Sequence, residues 1–355
     1  VGNATTSAAV SMSTSSVTVP KYSVSLAGDV WARSKTVTIT YPTRQTGFVY
    51  QYSVNGGNSW TTVSSGTTAT YTFTANGNII ARIYDGINYF NASTLSVTKI
   101  DRTPPSGVSA TKVSSTTKSI TVKANGTDSG SGIGKYEFSK DNGATWVNNR
   151  TSSTYTFTNL KTGTYQVKVR VTDKVGNATT SAAVSMSTSS VTVPKYSVSP
   201  SGDVWARSKV VTITYPTRQT GFVYQYSVNG GSSWTTVSSG TTATYTFTAN
   251  GNIIARIYDG INYFNASTLS VTKIDRTPPS GVSATKVSST TKSITVKANG
   301  TDSGSGIGKY EFSKDNGATW VNNRTSSTYT FTNLKTGTYQ VKVRVTDKVG
   351  NATTS

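Results

Sequence analysis

The sequence has no cysteine and no histidine, and only two methionines, Met12 and Met186. Without histidine it lacks the side chain that ordinarily serves as a general base near neutral pH, and the commonest metal ligand. Without cysteine there is neither thiolate chemistry nor a disulfide; this is compatible with export but does not fix a compartment. Acids are scarce, 14 Asp plus Glu against 34 Lys plus Arg, for a net charge of +20. No signal peptide, lipidation site or apolar run long enough to span a membrane is visible. These absences leave little for catalysis, and neither an enzyme activity nor a cofactor is expected.

What the chain does have is repetition. Residues 1–174 recur almost verbatim as 175–348, and residues 349–355 begin the cycle again. Four positions differ: Leu26 becomes Pro200, Ala27 becomes Ser201, Thr36 becomes Val210 and Asn58 becomes Ser232. Fixed-period self-similarity is the signature of an array, here expected to be a window on a longer one. A coarser likeness lies inside each copy. Tyr50–Trp60 resembles Tyr136–Trp146, and Thr70–Thr74 resembles Thr154–Thr158. Each copy therefore holds two modules of unlike kind, A and B, each large enough to close on one core unaided.

Within a copy the apolar residues alternate with a period of two, and no amphipathic helix of useful length appears. In Tyr165–Val171 one face is apolar while Gln166, Lys168 and Arg170 lie on the other. Thr36–Tyr41 and Ser119–Lys123 follow the same rule, as half-buried strands do. In A, strands are expected near 18–25, 35–41, 48–54, 59–63, 69–74, 78–84 and 92–99. In B they are expected near 107–114, 118–124, 134–140, 145–148, 153–158, 164–172 and 178–186, with residues 4–12 repeating that last strand. About seven short antiparallel strands per module point to a β-sandwich.

The run Tyr136–Trp146, the strand around Tyr155-Thr156-Phe157, the stretch Gly163–Asn177 and the junction Ile100-Asp101-Arg102-Thr103-Pro104-Pro105 resemble the bacterial Ig-like and fibronectin-III-like domains of large surface proteins. The expected fold is thus all-β, a tandem array of about four Ig-like antiparallel sandwiches. The expected boundaries are 1–17 (closing strand of a preceding B module), 18–102 (A1), 103–190 (B1), 191–276 (A2) and 277–355 (B2, its last strand incomplete). Prolines at the junctions restrict the backbone, so an extended, semi-rigid rod is expected. The resemblance implies an extracellular or cell-surface location and the role of stalk, filament body, biofilm matrix component or adhesin. Other copies of the repeat, in the same or neighbouring chains, are the expected partners. The spread positive charge adds acidic polysaccharide or cell-wall polymer as candidate partners; no specific nucleic acid is expected.

Three features bear on chemistry. Ser139, Asp141, Gly143, Thr145 and Trp146, repeated as Ser313, Asp315, Gly317, Thr319 and Trp320, match the Asp-box pattern of sialidases, whose boxes are structural. The physical expectation is a hairpin: Asp141 accepts turn N–H groups, Gly143 takes positive φ and Trp146 covers the turn. The glycines of Asp128–Gly134 do not open a helix, as a phosphate loop must, and read as a turn. No metal is expected: no contiguous acidic loop gathers calcium ligands, and Asp101, Asp128 and Asp173, the weak calcium candidates, read equally as caps of turns and strand ends. An internal Lys–Asn isopeptide bond would need a buried acid; Glu137, between two inward aromatics, is expected to face outward. Finally, Trp31, Tyr84, Tyr89 and Phe90 with Arg82 form a candidate glycan surface, repeated at Trp205, Arg256 and Tyr258.

Overall fold

A computed structural model describes all 355 residues, and every regular element in it is a β-strand. No helix is long and apolar enough to cross a membrane. The chain divides into two units, residues 1–188 and 189–355. In the first unit, β1 (Lys21–Val24), β2 (Lys35–Thr40), β3 (Val49–Ser53), β4 (Thr61–Thr62), β5 (Thr68–Phe73), β6 (Gly77–Tyr84), β7 (Tyr89–Asn91) and β8 (Leu95–Val97) enclose one core. A second core lies within β9 (Ser106–Thr116), β10 (Ser119–Thr127), β11 (Ile133–Ser139), β12 (Val147–Asn148), β13 (Thr154–Phe157), β14 (Thr164–Asp173), β15 (Ala178–Thr180) and β16 (Val184–Ser187).

Both bodies are antiparallel sandwiches with one plan. A three-stranded sheet, β1-β2-β5 or β9-β10-β13, faces a sheet of order β4-β3-β6-β7 or β12-β11-β14-β15. β8 and β16 pair the earlier halves of β6 and β14. The period-two pattern explains the layers. Val37 and Ile39 of β2 and Ile79, Ala81 and Ile83 of β6 are fully buried, whereas the intervening threonines and arginine look outward. Phe138, Val167 and Val169 do the same in the second core. Thr36 and Thr72, opposite each other on the outer face, bring their hydroxyls to 2.9 Å.

Two expected closing strands are each broken in two. Residues 92–99 pair only through Leu95–Val97, after a short strand at 89–91, and 178–186 splits into β15 and β16. In both, the chain turns at one residue, Ala92 or Ser181, whose N–H donates to the carbonyl of Ala81 or Val169. Residues 4–12, expected as a strand, form none. Their copies, in β15 and β16, pair with β14.

The second unit repeats this plan around two further cores. Of the four substitutions, Thr36→Val removes the cross-strand hydroxyl contact. Leu26 sits at φ 55°; proline cannot adopt that angle, and at Pro200 the backbone instead takes a cis peptide after Ser199. Ser232 donates its hydroxyl to the Asn229 carbonyl within the hairpin turn. Nothing in the structure explains Ala27→Ser.

Candidate functional site

The hairpin after β11 is built by two side chains. The Ser139 hydroxyl, nearly fully buried, accepts from the Gly143 N–H at 2.8 Å and donates to Asp141 Oδ1 at 2.7 Å. Asp141 accepts from the Thr145 N–H at 2.9 Å and from the Thr145 hydroxyl. Hydrogen bonds from the Thr145 side chain and N–H, then from Ser139, hold the Asp141 carboxyl down at about 2. Gly143 stands at φ 94°, under the Trp146 ring, where a side chain would be strained. Ser313, Asp315, Gly317, Thr319 and Trp320 reproduce the arrangement, with Asp315 also near 2. In the A module Asn55 occupies the acid's place, and its Oδ1 accepts from Ser53 and from the Ser59 N–H.

The hairpin tryptophan closes over an arginine from the neighbouring strand. Arg170 lies 4.6 Å from the Trp146 ring centre and grips Glu137 through Nε and a terminal nitrogen at 2.8 and 2.9 Å. Glu137 is on the outer face, as alternation requires, but it is buried there rather than exposed. The hydrogen bond from Arg170 outweighs burial and, with Lys135, keeps its carboxyl below the usual range. At the equivalent register in A, Gln51 accepts from Arg82 Nε at 2.9 Å.

Arg82 is sandwiched, 3.6 Å from the Trp60 ring centre and 4.2 Å from that of Tyr89, and Tyr89 stacks on Tyr84 at 4.5 Å. Arg82 and Tyr84 of the candidate glycan surface thus come together with Tyr89, and Arg256 and Tyr258 repeat them with Trp234 and Tyr263. Trp31 is not part of this ladder and has Lys99 near its ring instead. Trp205 is the same residue in the second copy. Phe90 packs against the core. Trp60, at the end of the run that resembles Tyr136–Trp146 and outside the expected glycan surface, completes the ladder. The signal lay in register: Gln51 pairs with both Arg82 and Thr62, and Trp60, two residues before Thr62, shares their face.

A second constellation forms where the A body hands over to B. Ile100 lies beside Ala32 in a parallel bridge, and the Asp101 N–H donates to the Ala32 carbonyl at 2.9 Å. Asp101 then enters B: it accepts from the Ser131 N–H at 2.6 Å and the Thr103 N–H at 3.0 Å, while its carbonyl accepts from Asn177 Nδ2 at 3.2 Å. Burial pushes its carboxyl up, but the Ser131 and Thr103 groups more than offset this and hold it below the ordinary value. Gly130 is required here, since an added Cβ would lie 2.3 Å from Asp101 Oδ2. Asp128 accepts from the Gly132 N–H, and Asp173 from the Val175 and Asn177 N–H groups. The fold gathers carboxylate oxygens of Asp101, Asp128 and Asp173 within 4.8 Å of one another, and those of Asp275, Asp302 and Asp347 likewise.

The Y_Y_Y domain model matches residues 128–188 and 302–355, the later parts of the two B modules. Exoglucanase B of Cellulomonas fimi is 30% identical over 303 residues, 79% of this chain; the chain spans about a quarter, 27%, of that protein's length. Among solved structures, a Ca2+-stabilized adhesin that helps an Antarctic bacterium reach out and bind ice is 16% identical, with a TM-score of 0.33 over 91% of this chain and 92% of that one. The FN1–FN3 domains of chicken CNTN1 are 15% identical, with a TM-score of 0.21 over 71% and 97%. The three-on-four strand order, repeated on separate cores, decides the architecture. These are tandem Ig-like, fibronectin-III-like sandwiches. In such modules the hairpin tryptophan and its arginine cover the outer face of the larger sheet, and the Asp101 segment is the stitch between consecutive sandwiches.

Proposed function

We propose that the chain is a non-enzymatic repeat segment of a bacterial cell-surface or extracellular filament protein, acting as stalk, spacer or fibre body. The observation that carries this reading is the use made of every acid in a copy. Asp29 pairs with Lys99, and Asp85 caps the N–H groups of Ile87 and Asn88. Glu137 is held by Arg170, Asp141 by its hairpin, and Asp101, Asp128 and Asp173 lie together at the junction. A glucan hydrolase needs two carboxylates flanking a substrate cleft, about 5–9.5 Å apart. Four clefts, beside Tyr22 and Lys35, Lys140 and Tyr155, Thr290 and Leu334, and Val296 and Val341, have no carboxylate in their lining, which supports the non-enzymatic reading despite the likeness to Exoglucanase B. Electron micrographs of the chain test the proposal: an extended beaded particle supports it and a compact globule overturns it. At roughly 35–45 Å per module, four in series would span about 150 Å.

A second reading is a multivalent adhesin for acidic glycans or wall polymers, favoured by the Trp60–Arg82–Tyr89–Tyr84 ladder on a chain of net charge +20. Two copies of a weak site would act by avidity. Retention on an anionic polysaccharide column that is lost in salt, and weakened by Arg82→Ala with Arg256→Ala, would support it. Passage through the column at low ionic strength would dismiss it.

A further inference from the structure

Three carboxylates converge at the A-to-B junction in a way their hydrogen bonds do not balance. Asp101 and Asp173 are each only 4% exposed, and Asp128 is half-buried beside them. The ion pairs of this unit go to Asp29 and Glu137 and none reaches the three; Lys174 brings its ammonium beside Gly132 without pairing with them. Their partners are neutral N–H groups from Thr103, Ser131, Gly132, Val175 and Asn177. Like charges this close, two of them out of water, oppose one another strongly. Yet the chain carries an excess of cations everywhere else.

A second, independent observation points at what belongs there. Ser131 is 3% exposed, and its hydroxyl oxygen makes no hydrogen bond of normal geometry, although the residue's own N–H is fastened to the Asp101 carboxylate and the hydroxyl is near enough to that carboxylate to help hold it ionised. A buried hydroxyl without a partner is costly and calls for an explanation. Ser305, its copy, is unpartnered in the same way beside Asp275. A cation among the carboxylates would take the hydroxyl oxygen as a neutral ligand and offset the charge at once.

We propose that each A-to-B junction binds one hard divalent cation of calcium's size, through Asp101, Asp128, Asp173 and the Ser131 hydroxyl, and in the second unit through Asp275, Asp302, Asp347 and Ser305. All four donors are oxygen, the ligand class of calcium and magnesium. Opposed ligands around calcium stand about 4.6–5.2 Å apart, and around magnesium about 4.0–4.2 Å. Oxygens within 4.8 Å of one another are close enough to share one such ion, and a partly open, three-carboxylate set suits calcium, which takes six to eight oxygens in flexible geometry, better than magnesium, which demands a near-ideal octahedron. The half-buried side of Asp128 gives the ion an entry path and leaves room for water to complete its shell. Bound there, the ion fastens the segment leaving the A body to two turns of the B body, β10–β11 and β14–β15.

The test is calorimetric titration of the chelator-treated full chain with calcium and, separately, magnesium, with melting curves at each end point. Two calcium ions per chain, a raised melting temperature for the B modules and at least tenfold weaker magnesium binding are expected. Asp128→Asn with Asp302→Asn keeps the Gly132 and Gly306 hydrogen bonds and should weaken calcium at least tenfold without lowering the melt in chelator. Ser131→Ala with Ser305→Ala should weaken calcium while the chelated protein stays folded, which covers the case of an aspartate variant that fails to fold. No binding heat and no melting shift up to about 10 mM calcium, well beyond the range of extracellular calcium modules, would overturn the proposal. So would unchanged affinity in both variants.

Discussion

The Tyr22 hydroxyl accepts a hydrogen bond from the Ala81 N–H at 2.7 Å, across the sandwich and 59 residues along the chain. The same backbone position in B, Val169, donates instead to the Ser181 hydroxyl at 3.1 Å. The chain edge breaks at Ala92 in A and at Ser181 in B, which leaves this inner N–H without a ladder partner. Where the edge residue has a hydroxyl it supplies the acceptor; where it is alanine, a tyrosine from the opposite sheet reaches over. Tyr196 and Ala255 repeat the solution at 2.6 Å.

Removing that acceptor should be costly, because it strands a buried donor. Tyr22→Phe is expected to destabilise the first A module by about 1–3 kcal/mol, and Ser181→Ala should do the same to the first B module. Chemical denaturation read module by module checks this, with the untouched second copy as internal reference. A double variant Tyr22→Phe, Ala92→Ser should recover part of the loss.

Arg170 should not be replaceable by lysine. Its planar fork meets both Glu137 oxygens while its face lies on Trp146, and an ammonium can satisfy only one of these at a time. Arg170→Lys is expected to cost about 1–2 kcal/mol, and Arg170→Ala more, because Glu137 would keep its burial and lose its strongest partner. In Gln51–Arg82 of the A module the partner is neutral, so Arg82→Lys should cost less. Thermal melts of the two single variants decide the order.

Acid should weaken B modules before A modules. Asp141 and Asp315 titrate at about 2 in the folded chain, below the ordinary 3.8, and Glu137 and Glu311 are also lowered. Groups with depressed folded values add stability that is fully present above the ordinary value and lost as pH falls through the folded one. The window therefore runs from about pH 4 to about pH 2. Asn55 and Asn229 hold the same place in A without titrating. Scanning calorimetry at about pH 5 and about pH 2 should show the B transitions falling further, and Asp141→Asn with Asp315→Asn should narrow the gap.

Core truncation should be felt locally. Phe138 is fully buried in the second core, and Phe138→Ala should cost about 3–5 kcal/mol there. Fragments resistant to limited proteolysis would still include the first A module and the second unit, since their cores share no residue with it.

Most of the architecture could be read from alternation. Val37 and Ile39 among threonines, or Val167, Val169 and Val171 among polar residues, leave one possible face for the core. The ends of the modules were harder. Nothing in Thr179–Met186 announces that the chain will switch from one half of β14 to the other at Ser181, because the break depends on a partner's length rather than on local composition. Glu137 faces outward as its parity demands, but burial under Arg170 and Trp146 is a property of three strands together. The junction acids show the same limit: Asp101, Asp128 and Asp173 are isolated in sequence and meet only because two turns of one sandwich converge on the segment entering it.

Separate cores also set how the chain responds to tension. Opening one sandwich, of about 87 residues in a 174-residue repeat, would release roughly 300 Å of contour at about 3.4 Å per residue. Its neighbours would keep their packing. Such a chain lengthens in discrete steps and dissipates work at each one, and each sandwich can refold on its own once the load falls. Four folded cores are thus also a store of slack.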